Sequence, residues 1–201
     1  MTELVYLSLG SNMGDSTGTI ARAFELIEAL PEVRVLGVSS LYSTTPVSHI
    51  PQGDFINAAC SLTTALSAEE LYAALHHIEI SLGKTPKEKS APRPIDIDIL
   101  FFGRQWHRTE TLCIPHPRWQ ERLFVLIPLS ELTEEITFPV NGDGCCETIV
   151  LKDYLQAFPN CHQERVMREG IYLSRLAEEA EIRAKGKARV PAEKVWKELD
   201  F

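Results

Sequence analysis

The chain has 201 residues, of which 44% are hydrophobic and 24% charged, with a formal net charge of -8. That length suits one well-buried domain of about 100 to 200 residues with a short remainder, and the negative balance excludes a generally basic surface for nucleic acid. No stretch approaches the roughly 18 apolar residues of a membrane span. Met1-Thr2-Glu3-Leu4-Val5 lacks the basic start of a signal peptide, and five cysteines without a CxxC pair argue against a disulfide framework or structural zinc. A cytoplasmic protein is expected.

In chain order, Val5, Leu7 and Leu9 alternate with Tyr6 and Ser8, which predicts a strand stopping at Gly10-Ser11-Asn12. Ile20, Ala23, Phe24, Ile27 and Leu30 recur at helical spacing up to Pro31. Val33 to Tyr42 is β-rich, Thr44-Thr45-Pro46 opens an irregular loop through His49, Pro51 and Gly53, and Phe55 to Thr63 reads as another strand. Ser67-Ala68-Glu69-Glu70 is a capping box for a helix carried by Leu71, Leu75, Ile78 and Leu82 to Gly83. Lys84 to Ala91 is polar and loop-like, and the strand after it closes at Gly103.

Further on come a short extended piece near Leu112 to Ile114, a turn at Pro115-His116-Pro117, an apolar segment Phe124 to Leu132, and a hairpin-grade turn at Asn141-Gly142. Strand, helix, strand, strand, helix, strand is the order of an α+β sandwich of ferredoxin-like kind, with a mainly antiparallel sheet and flanking helices. From Cys161 charged residues of both signs crowd the chain, and Gly170 and Gly186 interrupt a helix-like pattern through Leu173, Leu176, Ala177 and Ala180. A domain over 1–160 and an appended charged helical extension over 161–201 are expected.

The run Ile95-Asp96-Ile97-Asp98-Ile99-Leu100-Phe101 carries the most chemistry. Strand alternation predicts Ile95, Ile97, Ile99 and Phe101 on one face and both carboxylates on the other. Two close carboxylates repel, and a hard cation such as Mg²⁺, shared with substrate phosphates, relieves that repulsion. A solvated edge strand is the competing reading for the acid pair alone. Most Lys and Arg residues of 1–160 fall between Lys84 and Arg122, around that pair, as a metal-polyphosphate site requires.

His116, pinned between prolines, either faces a phosphate or caps backbone, and Arg118 and Arg122 are spaced to share one anion or to lie in solvent. Phe55 and Asn57 share a strand face, fit either to stack on and read a flat heterocycle or to fill the core. Gly83-Lys84-Thr85 is not a phosphate-binding P-loop, because position 78 is Ile inside a predicted helix where that motif needs glycine.

Tyr6 to Asn12, Phe55 to Ala59, Ala91 to Leu100, and Ile114 to Arg118 with Arg122, Phe124, Val125 and Leu126 together resemble the 6-hydroxymethyl-7,8-dihydropterin pyrophosphokinases of folate synthesis, in the same order over about 4–160. The resemblance implies transfer of pyrophosphate from ATP to the pterin hydroxymethyl group, with release of AMP. It implies two Mg²⁺ ions held by Asp96 and Asp98, and ATP contacts from Glu79, His76, Arg93, Ile99, His116 and Arg122. Gly10, Thr44, Thr45, Val47, Phe55, Asn57 and Phe124 fall where the family holds the pterin.

Asp96, Asp98 and Arg93 make the implied catalytic set, together with Lys84 and Lys87, which replace arginines common in the family's loop. Ser90 stands near a tryptophan of some members, and His76 where Gln is frequent. Contact with another folate-pathway enzyme through the extension is a further expectation. A metal-dependent nucleotidyltransferase and a non-catalytic binding module are the competing classes. The first would leave AMP on the product, and the second would need a damaged acid pair.

Overall fold

The computed structural model describes residues 2–46, 51–85, 91–158 and 166–168. In chain order the elements are β1 (Glu3–Ser11), α1 (Ser16–Glu28), β2 (Val33–Val38), β3 (Tyr42–Thr44), β4 (Phe55–Thr64), α2 (Ala68–Ser81), β5 (Asp96–Phe102), β6 (His107–Arg108) and β7 (Cys113–Ile114). A 3-10 turn at Trp119–Glu121 leads into α3 (Leu123–Ser130), followed by β8 (Glu135–Pro139), β9 (Cys146–Val150), α4 (Leu151–Gln156) and β10 (Val166–Arg168). The class is α+β, with an antiparallel main sheet ordered β10-β3-β4-β1-β5 and β2 also paired to β4.

β1 lies inside the sheet between β4 and β5, and its alternation supplies an apolar row, Val5, Leu7 and Leu9, that must be covered on one side. α1 and α2 cover it. Asp15 caps α1 by accepting from Gly18 N at 2.9 Å, and the helix turns Ile20, Phe24 and Ile27 onto the sheet. α2 begins at the expected capping box: Glu70 N donates to Ser67 Oγ at 3.2 Å, and Ser67 N donates to Glu70 Oε2 at 2.8 Å. Leu71, Leu75 and Ile78 complete this core.

A second core lies on the opposite face, where Trp119, Leu126, Phe138 and Leu151 pack over Leu100 and Phe101. The apolar segment Phe124 to Leu132 is therefore mostly helix. α3 is apolar nearly all round, since it lies buried between sheet and hairpin. The predicted turn at Asn141-Gly142 joins β8 to β9.

One expectation on β5 is corrected. Ile95, Ile97 and Ile99 face α1 and α2, but Phe101 does not. The register passes from Leu7↔Ile99 to Tyr6↔Phe101, leaving Leu100 as an extra, bulged residue. A bulge inverts the alternation beyond it, so Phe101 turns to Trp119 at 4.9 Å between ring centroids while Phe102 enters the first core.

Of the expected helical extension, Val166–Arg168 is a strand, β10, paired with β3. The pattern through Leu173 to Ala180 lies outside the described residues. No helix among the described residues is long and apolar enough to cross a membrane.

Candidate active site

The site lies where the second face of the sheet is not covered by α3. Gly10 of β1 faces Asn57 of β4 on one side and Asp96 of β5 on the other, and Ser8 faces Asp98. Residues opposite one another in antiparallel strands share a face, so Asn57, Gly10, Asp96 and Asp98 form one polar patch. Gly10 keeps it open: a Cβ there would stand 2.9 Å from Asn57 Oδ1 and 3.8 Å from Phe55 Cδ1. The Asn57 amide is aimed by its bond from Nδ2 to Thr44 Oγ1 at 2.7 Å. An aromatic ring and a fixed amide thus adjoin the acid pair.

Two cations reach the patch, Lys84 and Arg93. Lys84, just beyond α2, donates from Nζ to Glu79 Oε1 at 2.6 Å and to Asp96 Oδ1 at 2.8 Å. Arg93 Nη1 donates to Asp96 Oδ2 at 2.8 Å. Glu79 is a buried carboxylate at the free edge of β5, where its Oε1 also accepts from Ile97 N at 2.8 Å and its Oε2 from His76 Nδ1 at 3.1 Å. Burial works against the Lys84 charge, but Asp96 and Glu79 outweigh it and raise its pKa.

Asp98 and His116 form the opposite wall, with His116 Nε2 4.0 Å from Asp98 Oδ2. Crowding by protein first, and the Asp96 charge second, push Asp98 up to about 7, with Arg122 opposing. Even so, 41% of its side-chain surface meets water, so ions can reach it. Burial first and Arg122 second hold His116 down to about 4, leaving a neutral ring at pH 7. Arg118 N can only donate, and it lies 3.2 Å from His116 Nδ1, so the ring proton sits on Nε2 and points into the cleft. Arg122 lies over Phe124, 5.4 Å from the ring centroid.

The donor set fits a divalent cation shared with phosphates: two hard carboxylates on one face, one of them short of neutralising charge. Among the described residues, no three His, Cys, Asp or Glu side chains converge as a closed metal cage.

The structure brings Gly10, Thr44, Phe55, Asn57, Glu79, Lys84, Arg93, Asp96, Asp98, His116 and Arg122 into one neighbourhood. Thr45 follows Thr44 half-buried, Phe124 is half-buried beside Arg122, and His76 joins the cluster through Glu79. Ile99 is buried in the first core, which leaves its main chain for any ligand contact. Val47 and Lys87 lie outside the described residues. Arg118 and Arg122 do not act as a pair, because a 3-10 turn separates them and Arg118 is tied to Glu121 at 2.8 Å in solvent.

One positioning residue escaped the sequence reading. Asn12 accepts from Arg93 N at 2.9 Å and donates to Gln52 Oε1 at 2.8 Å, clamping the segment before β5 to the end of β1. Its only signal was its place just after the Gly-Ser that ends the strand.

An antiparallel sheet bearing a paired-acid, cation-lined cleft beside a ring pocket defines an enzyme of the phosphate-transferring class. The family model for 7,8-dihydro-6-hydroxymethylpterin-pyrophosphokinase (HPPK) matches residues 6–134, and the chain belongs to that family. It is 41% identical over 136 residues to a 2-amino-4-hydroxy-6-hydroxymethyldihydropteridine pyrophosphokinase of Bacillus subtilis, covering 68% of this chain and 81% of that one. A Pseudomonas aeruginosa protein of the same name is 37% identical over 139 residues, covering 69% and 86%.

The bifunctional protein FolKE of Lactococcus lactis subsp. lactis is 39% identical over 133 residues, and this match spans 66% of this chain but 38% of FolKE. In fold, the chain is similar to the Plasmodium falciparum HPPK-DHPS solved with pterin and p-hydroxybenzoate. That likeness has a TM-score of 0.54 at 16% identity, over 77% of this chain and 41% of that one. The family's reaction moves pyrophosphate from ATP to the hydroxymethyl group of the dihydropterin, in folate biosynthesis.

Proposed function

We propose that the cleft between Asn57 and Asp98 performs this transfer with Mg²⁺ as cofactor. The observation that carries the reading is the placement of Gly10, whose register partners are Asn57 on the ring side and Asp96 on the acid side. A pterin read by Asn57 and stacked against Phe55 and Phe124 would present its hydroxymethyl arm toward the carboxylates.

The hydroxymethyl oxygen forms its bond to the β-phosphorus of ATP, the bond from that phosphorus to the oxygen of AMP breaks, and the hydroxyl proton is released. Asp96 and Asp98 would hold two Mg²⁺ ions, which neutralise phosphate charge and polarise the transferred group. Arg93, Arg122, Lys84 and Lys87 grip phosphate oxygens, His116 donates from Nε2 without adding charge, and His76, Glu79 and the Ile99 main chain border the nucleotide. Gly10, Thr44, Thr45 and Val47 shape the pterin side. The protein's part is positioning and charge neutralisation, with little covalent chemistry.

The strand order β2-β4-β1-β5 under α1 and α2 supports a ferredoxin-like plan for 1–160. Free thiols at Cys60, Cys113, Cys145 and Cys146 support a cytoplasmic setting. Relatives that are bifunctional in a single chain support a contact between this protein and another folate-pathway enzyme, which we assign to the charged segment 161–201.

The test is to supply ATP, Mg²⁺ and the reduced pterin and identify the nucleotide product. AMP with a pterin diphosphate ester is expected, whereas ADP would overturn the reading. Asp96→Asn and Asp98→Asn should each lower turnover by at least about a hundredfold, the size of one electrostatic contribution at a reacting phosphate.

A further inference from the structure

The acid pair is neutralised unequally. Asp96 has both oxygens engaged by protein cations, Lys84 at Oδ1 and Arg93 at Oδ2, each at 2.8 Å. Among the described residues, no lysine or arginine pairs directly with Asp98: the neutral ring of His116 stands 4.0 Å away, and Arg122 acts on it only through its charge. A metal ion taken up by both acids would lie about 2.1 Å from its oxygens. It would therefore come within roughly 5 Å of the Lys84 ammonium, where like charges repel in a cleft of low effective dielectric.

Resting on the reading of Asp96 and Asp98 as metal ligands, we propose that Lys84 is the site's resident counter-ion. It occupies Asp96 until metal and nucleotide arrive, then exchanges that carboxylate for a phosphate oxygen. Metal loading and release of Lys84 from Asp96 are then one event.

The geometry equips Lys84 for the exchange. Its main chain is fixed, with its N–H donating to Glu79 O at 2.9 Å. Its ammonium is held at a second point, Glu79 Oε1. Glu79 is only 5% exposed and keeps the Ile97 N–H and His76 when the lysine turns, so the pivot stays satisfied. An ammonium has three donors, of which two go to Glu79 and Asp96. With 25% of the Lys84 side chain still exposed, it can be re-aimed toward a ligand. A point charge on a flexible stem re-aims without breaking a planar fork, which an arginine at this position would have to do.

The experiment measures Mn²⁺ binding by electron paramagnetic resonance, with and without a non-hydrolysable ATP analogue, in wild type, Lys84→Met and Lys84→Gln. Removing the resident cation should tighten nucleotide-free Mn²⁺ binding by at least about tenfold, the lower end of a neighbouring-charge effect. It should also shrink the gain in metal affinity that nucleotide brings. Lys84→Gln, which removes the charge but keeps a polar side chain able to donate, gives the same readout should Lys84→Met fold poorly. Equal or weaker metal binding in the folded variants would overturn the exchange while leaving the metal reading intact. No Mn²⁺ binding by wild type even with the analogue would overturn both.

Discussion

Gly10 is the residue on which the two halves of the cleft meet. Any side chain there would press on the Asn57 carbonyl oxygen at 2.9 Å, and Asn57 is already held by Thr44. Gly10→Ala should therefore displace the amide and weaken pterin binding by about tenfold or more, since an unmatched polar contact of this kind costs roughly 1–3 kcal/mol. ATP binding should change little. Calorimetry with each ligand separately checks this, and equal losses for both would count against the pocket.

Asp98 makes a pH signature at the same scale. Its pKa is raised from 3.8 to about 7, so the folded chain holds that proton more tightly than the unfolded chain does. The resulting stabilisation is fully present below the ordinary carboxyl value and is lost as pH rises toward about 7. In chelator, wild type should lose stability relative to Asp98→Asn between pH 5 and pH 8. The difference should be on the order of 1 kcal/mol once solvent screening of this part-exposed group is allowed for. Urea unfolding of both proteins at the two pH values measures it, and a flat difference would refute the assignment.

At the scale of elements, β3 is short, and it carries Thr44 between β4 and β10. Ending the chain at Cys161 removes β10 and turns β3 into an edge strand. The shortened protein should still fold, because neither core includes residues beyond Phe158 among those described. It should lose about 1–2 kcal/mol, the worth of a few backbone hydrogen bonds, and bind pterin more weakly while ATP affinity holds. Thermal melts and the same calorimetry decide. The bulge at Leu100 is the other feature of this scale, and it shows why alternation misplaced Phe101: one extra residue is invisible to a period-2 pattern yet reverses every side chain after it.

Across the whole molecule, β5 separates stability from chemistry by face. Ile97→Ala should cost about 2–5 kcal/mol of stability, as truncations of buried aliphatics do. The folded fraction should keep normal metal affinity. Asp96→Asn should do the reverse, and denaturation alongside metal titration on both variants would expose any mixing of the two roles.

The separation of faces was legible in the amino-acid order, as were the capping box at Ser67, the strands around Leu7 and Ala59, and the resemblance carried by the four motifs. Each of these depends on local geometry, the two-residue period of a strand or the hydrogen bonds of one helical turn. Tertiary structure alone decided the rest. Gly10 came to lie between Asn57 and Asp96, Lys84 and Arg93 closed on one carboxylate, Asn12 clamped the segment before β5, and β10 joined the sheet beside β3. These are pairings between residues distant in the chain, set by which strands adopt which register and which charges then share a cleft. No local periodicity encodes that choice.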